Sequence, residues 1–166
     1  MRLSGLLVFT LASLAACTTY GTPPPPPPPS YYVVRHLNTP SGERDPDLLA
    51  EGQRAAQALA GWFRPGRAPR AIYVSDYRRT RQTAAPLAAR LDLTPIVYDP
   101  ADTPALVARV RGGPLPALVV GHSNTVPDIV EQLGGTRPGP LVHEDFGDIW
   151  LIWSDGATER LRIEGR

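Results

Sequence analysis

The chain has 166 residues, of which 42% are hydrophobic and 20% charged, with a formal net charge of +1. This is room for one ordinary globular domain, and a charge so close to neutral supplies no global field for nucleic acid or an anionic bilayer. All 17 basic residues are arginine, which excludes Schiff-base catalysis and a lysine-based phosphate loop, since both need an amine.

Along the chain, Met1-Arg2 places one positive charge before the apolar run Leu3 to Ala16. That run is too short for a stable membrane-spanning helix and suits the core of a secretory signal. It ends in Leu14-Ala15-Ala16-Cys17, which resembles the lipobox of bacterial lipoproteins. The resemblance implies cleavage before Cys17 and lipidation of its thiol and new amino terminus. Residues 1–16 are then a signal peptide and residues 17–30 an anchor and spacer. The expected location is the bacterial envelope, on the periplasmic face of the outer membrane, with the membrane as partner through the lipid. Cys17 is the only cysteine, so the remaining chain must be held by its core, without disulfides or cysteine-bound zinc. The seven prolines Pro23–Pro29 predict a stiff polyproline II spacer rising ~3.1 Å per residue.

From residue 31 to 166 strand and helix signals alternate. Tyr31-Tyr32-Val33-Val34 reads as a buried strand. Apolar positions recur at helical spacing from Asp47 to Phe63. Ala71-Ile72-Tyr73-Val74 is a second strand, and a helix follows through Thr83, Leu87 and Leu91, with Pro86 expected to kink or interrupt it. Pro95-Ile96-Val97-Tyr98 is a third, weaker strand. Thr103 is expected to cap a short helix with Pro104 at its first position, ended by Gly112-Gly113. Ala117-Leu118-Val119-Val120 is a further buried strand, and the stripe Val126, Ile129, Val130 and Leu133 a helix stopped by Gly134. Residues 149–153 and 158–163 form a hairpin about Asp155-Gly156. The pattern predicts a single α/β domain: a mostly parallel sheet with helices on both faces and an antiparallel hairpin at its C-terminal end.

Chemistry-bearing residues gather just past three of the predicted strands. They are Arg35-His36-Leu37-Asn38-Thr39, then Ser75 to Ala84 with Arg78, Arg79 and Arg81, then Gly121-His122-Ser123-Asn124-Thr125. In open α/β sheets ligands bind outside the carboxyl ends of the strands, and helix amino termini there favour an anion. Two histidines with several arginines describe a phosphate site, because guanidinium groups match a dianionic phosphate with forked hydrogen bonds.

These pieces, in this order, resemble the motifs of the histidine phosphatase superfamily, also called phosphoglycerate mutase-like. Arg35-His36 is similar to its R-H pair, Arg79-Thr80-x-x-Thr83-Ala84 to its R-[A/T]-x-x-T-A segment, and Gly121-His122-Ser123-Asn124 to its second histidine motif. Asp45-Pro46-x-Leu48-x-x-x-Gly52 resembles the start of its first helix. The resemblance implies a two-step phosphoryl transfer with His36 as nucleophile and Arg35, Arg79 and His122 binding the equatorial oxygens, without a metal or cofactor. It implies a phosphorylated small molecule or phosphoprotein as substrate, and no nucleic acid. Leu37 and Asn38 depart from the family's small and acidic residues after the nucleophile. The short stretch between the second and third motifs lacks the inserts that build a lid in mutases.

Asn38, Ser123 and Asn124 are candidates for the phosphate pocket, with backbone capping as the alternative. No motif identifies the general acid, for which Asp99, Asp102 and Glu43 are candidates; Asp102 has helix capping as its alternative role. Arg78 and Arg81 read as solvated helix charges, His143 as an ordinary loop histidine, and Trp150 and Trp153 as packing residues. No ligand spacing supports a metal site. The alternative function is a catalytically silent lipoprotein of the same fold that binds a phosphate ligand or serves structurally.

Overall fold

The computed structural model describes residues 27–163. The proposed signal peptide, Cys17 and the first prolines lie outside the described residues. The elements run β1 (Tyr31–Arg35), α1 (Ala50–Trp62), β2 (Ala71–Ser75), α2 (Arg78–Leu91), β3 (Ile96–Tyr98), α3 (Thr103–Arg111), β4 (Ala117–Gly121), α4 (Val126–Gln132), β5 (Asp148–Ile152) and β6 (Thr158–Arg162). They build one six-stranded sheet in the order β3-β2-β4-β1-β5-β6. The first four are parallel; β5 runs antiparallel to β1 and carries β6 as the edge. The α/β architecture with its closing hairpin is as the alternation predicts.

Alternation along each strand divides the core in two. Tyr32 and Val34, Ile72 and Val74, Leu118 and Val120, and Ile149 and Leu151 face one side, under Leu59 and Phe63 of α1's end and Ala84 and Leu87 of α2. Val33, Tyr73, Val119, Trp150 and Ile152 face the other, under Leu106 and Val110 of α3 and Ile129 and Val130 of α4. Strands with both faces covered must be apolar throughout, hence the unbroken runs of Val, Ile and Leu. β1 leads to α1 on one face, and its neighbour β4 leads to α4 on the other. Their carboxyl ends therefore open a crevice where the connections part.

Three local expectations need correction. The first helix begins at Ala50, not Asp47, because the backbone is still extended at Leu49 (φ -61°, ψ 162°) and the first helical bond runs from Gln53 N–H to Leu49 O at 2.9 Å; Leu48 N–H donates to Gln82 Oε1 at 2.7 Å and Leu49 N–H to the carbonyl of Asn38 at 2.9 Å. α2 continues through Pro86 without a break. An interior proline costs about 3 kcal/mol, and burial of Ala84, Leu87 and Ala88 on either side offsets it at roughly 1.5–3 kcal/mol for a side chain of leucine size. The cap of α3 is Asp102 rather than Thr103. Its Oδ1 accepts from Ala105 N–H at 3.0 Å, which leaves Pro104 in the first turn.

One glycine is demanded by the fold. A Cβ on Gly52 would stand 2.5 Å from the carbonyl oxygen of Asn38, so only glycine lets α1 lie against the loop that follows β1. At the opposite end of the sheet three bonds hold the entering chain. Ser30 N–H donates to Ile152 O (2.8 Å), Ala117 N–H to Ser30 O (3.1 Å), and the Trp153 indole N–H to Pro27 O (3.1 Å).

Candidate active site

The parallel register aligns the strand ends that carry the chemistry. Arg35 lies opposite Gly121 across β1 and β4, and His36 N–H donates to Gly121 O at 2.9 Å, so His36 and His122 emerge side by side. Their ring centroids are 5.5 Å apart, and each residue is 6% exposed, enough for one edge of each ring to reach the surface.

The loop after β1 is held from below. Leu37 N–H donates to Thr83 Oγ1 at 3.0 Å, and that hydroxyl donates to Arg79 O at 2.8 Å. Leu37 itself is fully buried in a small cluster with Leu48, Ala55 and Ala56 under α1. Leu37, the residue after His36, therefore packs into the core and does not floor the pocket. His36 Nδ1 lies 3.0 Å from Leu37 O. A carbonyl only accepts, so Nδ1 carries the proton and Nε2 keeps its lone pair.

Burial lowers the His36 pKa from 6.5 to about 3, against the backbone bond to Leu37, which raises it; Arg35, His122 and Arg79 push it down further. Burial likewise lowers His122 to about 4, with Arg79 and Arg35 next in effect and Asp45 opposing. Both rings are neutral at pH 7. A neutral imidazole buried among arginines is a nucleophile; an imidazolium has no lone pair to give.

The two arginines are anchored differently. Arg79 donates from Nη1 to Arg44 O at 3.2 Å and reaches Asp45 Oδ1 at 3.5 Å. Its Nη2 lies 3.3 Å from His122 Nδ1, and its guanidinium stacks 4.2 Å above the Tyr77 ring. Arg35 is 4% exposed. Its Nη1 donates to Val142 O at 2.5 Å and Asp145 O at 3.2 Å, and its guanidinium lies 4.2 Å over the Phe146 ring. Arg35 Nε is buried with no partner among the described residues, a donor at the base of the cluster available to an anion.

Residues 31–101 match the model of the histidine phosphatase superfamily (branch 1), a span that includes the R-H pair and the Arg79 segment. Over these residues the chain is similar to the histidine phosphatase superfamily. No curated protein matches it. Among solved structures, one assigned as the phosphohistidine phosphatase SixA of Nakamurella multipartitia is 22% identical, covering 80% of this chain and 93% of that one at a TM-score of 0.55. The protein histidine phosphatase SixA complexed with tungstate is 16% identical, covering 82% and 97% at a TM-score of 0.56. TTHB049 from Thermus thermophilus is 20% identical, covering 81% and 98% at a TM-score of 0.53. These likenesses show the fold.

Two depressions meet at His36 and Arg79. One is walled by Tyr77, Pro100, Ala101, His122, Ser123 and Asn124, which brings two of the three phosphate-pocket candidates to the site. The other is walled by Arg35, Thr39, Pro40, Glu43 and His143 among others. Asn38 is placed elsewhere: its amide donates to Glu51 Oε1 at 3.1 Å, and it lines a separate hollow with Phe146 and Arg162. Asp99 and Asp102 line neither wall, since Asp99 Oδ1 takes Ala101 N–H at 2.9 Å and Asp102 caps α3. Of the three candidate acids only Glu43 faces the mouth. Arg78 and Arg81 pair with Asp47 and Asp76 on the exposed side of α2. His143 stands at the rim, its ring 5.4 Å from that of Phe146. The sequence pattern gives no individual role to Ser75, Tyr77 or Thr80 within the second segment, and none at all to Phe146. Tyr77 and the hydroxyls flank Arg79 and were within reach of a closer reading, whereas Phe146 comes from a loop with no motif.

Proposed function

We propose that this protein is an envelope-anchored phosphatase that hydrolyses a phosphate monoester or phosphohistidine through a phosphohistidine intermediate on His36, with no metal required. The observation that carries the reading is the His36 ring: neutral, its Nδ1–H tied to Leu37 O, with Arg35, Arg79 and His122 around it. Nε2 attacks phosphorus in line; the bond to the leaving oxygen or nitrogen breaks, and the departing atom takes its electron pair and a proton. Water then attacks the phosphohistidine, the P–N bond returns its pair to Nε2, and inorganic phosphate leaves. Arg35 and Arg79 supply the cationic charge that phosphoryl transfer needs in other enzymes from metal and lysine. The SixA likenesses, one bearing tungstate, a tetrahedral oxyanion, support phosphohistidine as one substrate class. A panel of phosphate esters and phosphohistidine, with His36→Ala as control, tests the reading.

Glu43 is the proposed proton donor, since it alone of the three carboxylates lines the mouth. An alkoxide leaving group needs a proton in the transition state and an aryl oxide hardly does. Glu43→Gln is therefore expected to slow alkyl phosphates far more than aryl phosphates, while Asp99→Asn and Asp102→Asn change both little. Equal slowing of both ester types by Glu43→Gln rules out Glu43 as the acid.

Anchoring rests on the lipobox-like sequence ending at Cys17. Two or more acyl chains hold a protein stably at a bilayer, while one is marginal. Cys17→Ser is expected to move the protein from the membrane to the soluble fraction; retention in the membrane fraction defeats the anchor.

A further inference from the structure

Behind His122 lies a buried chain of hydroxyls. His122 Nε2 is 2.8 Å from Ser75 Oγ, and Ser75 Oγ is 3.0 Å from Thr80 Oγ1. Thr80 Oγ1 in turn is 2.9 Å from Ser75 O and 2.8 Å from Tyr77 O. Ser75 and Thr80 are both fully buried, so water does not compete for these bonds.

Proton counting fixes the direction of the chain. The two carbonyls only accept, so the single Thr80 hydroxyl proton points to them, and Thr80 Oγ1 must accept from Ser75. The Ser75 proton is thereby used, and Ser75 Oγ must accept from His122 Nε2–H. At the other edge of the ring, the Arg79 guanidinium has only donors to offer Nδ1, 3.3 Å away. Both edges demand the same tautomer. It is the opposite of that of His36, whose Nδ1 holds the proton and whose Nε2 is free.

We infer that Ser75, backed by Thr80, is a positioning residue that holds His122 as the Nε2–H tautomer with the Nδ1 lone pair turned to the phosphate space beside Arg79. The two histidines then present one lone pair each to the cavity, from different ring atoms. The consequence for rate rests on the proposed phosphatase reaction; the tautomer itself does not.

The test is nitrogen NMR of the full chain in detergent micelles, labelled with 15N-histidine and free of substrate. The chain has three histidines, so His143→Gln and His36→Ala assign the ring signals by loss. The expected spectrum shows His36 protonated at Nδ1 and His122 at Nε2. Thr80→Val keeps the shape but leaves the Ser75 hydroxyl no buried acceptor except His122 Nε2, so the Nδ1–H form of His122 appears, and Thr80→Ser abolishes it again. In Ser75→Ala the two forms of His122 mix. Turnover in Thr80→Val and Ser75→Ala is expected to fall roughly tenfold or more, as on loss of a group that orients a ligating histidine, and to return in Thr80→Ser. An Nδ1–H His122 in the parent protein, or an unchanged His122 spectrum in both Thr80→Val and Ser75→Ala, overturns the inference. A shifted tautomer with unchanged turnover upholds the positioning and instead removes His122 from the proposed reaction.

Discussion

His36→Ala is expected to reduce turnover by roughly 10⁴-fold or more, the scale on which enzymes lose rate with their nucleophile. Alanine removes the lone pair of the carbonyl-locked ring, and the remaining one, on His122 Nδ1, is engaged by the Arg79 guanidinium at 3.3 Å. The fold should survive, because the His36 main chain remains bonded to Gly121 and Leu37 stays packed in its cluster. Rapid acid and base quenching of the parent protein with labelled substrate should reveal an acid-labile, base-stable phosphoryl group, absent from His36→Ala. Since burial lowers the His36 pKa to about 3, the nucleophile stays neutral throughout pH 5–8. Rates corrected for substrate ionisation should be flat there, falling only as pH approaches the depressed histidine values. Full activity in His36→Ala, or a rate that titrates with an ordinary histidine near pH 6.5, contradicts the mechanism.

The second large effect separates two adjacent arginines. Arg79→Ala is expected to lower turnover by roughly 10²–10³, as on removal of a donor to an oxyanion. Arg79 lies against His122, and its fork is aligned by Arg44 O and the Tyr77 ring. Arg79→Lys restores charge without the fork and should recover only part of the loss. Arg78 points away, exposed and paired with Asp47; Arg78→Ala should stay within about twofold, as a surface change worth ±0.5 kcal/mol. Arg78 also holds Asp45 through its main-chain N–H at 3.0 Å, a bond that alanine keeps. Kinetics of the three variants on one aryl phosphate decide the matter, and a larger loss from Arg78→Ala places the phosphate on the wrong arginine.

How much of this was legible in the sequence depends on the range of the interaction. The strands announce themselves, because an element covered on both faces needs consecutive apolar side chains, as in Val119-Val120. The placing of Arg35, His36, Arg79 and His122 together follows from motifs set at strand ends, and parallel register does the rest. What pattern could not supply was competition for single hydrogen bonds. Asn38 reads as a pocket residue by adjacency to His36, yet its amide is claimed by Glu51. Asp99 reads as an overhanging acid, yet the Ala101 amide claims it, while Asp102 takes the capping role that the sequence offered as its alternative. Pro86 reads as a kink or a break because propensity is local; the helix is unbroken because burial around it is tertiary. The latch of Arg35 on the loop at Val142 and Asp145 joins positions far apart in the chain, and no periodicity marks it.

The sheet order carries a consequence for how the molecule comes into being. β1, which delivers the proposed nucleophile, is made first among the strands, yet its two neighbours are residues 117–121 and 148–152. Pairings between distant parts of a chain are slow to form, since a long loop must close before any contact rewards it. Through most of synthesis the strand Tyr31-Tyr32-Val33-Val34 therefore has no native partner, and an unpaired apolar strand is a template for other chains. The strand ends that carry the proposed site meet only when β1 pairs with β4, and the final hairpin then covers the other edge of β1. A chain cut short before Asp148 would keep every one of the proposed phosphate-binding groups and leave β1 as a bare edge, prone to aggregate.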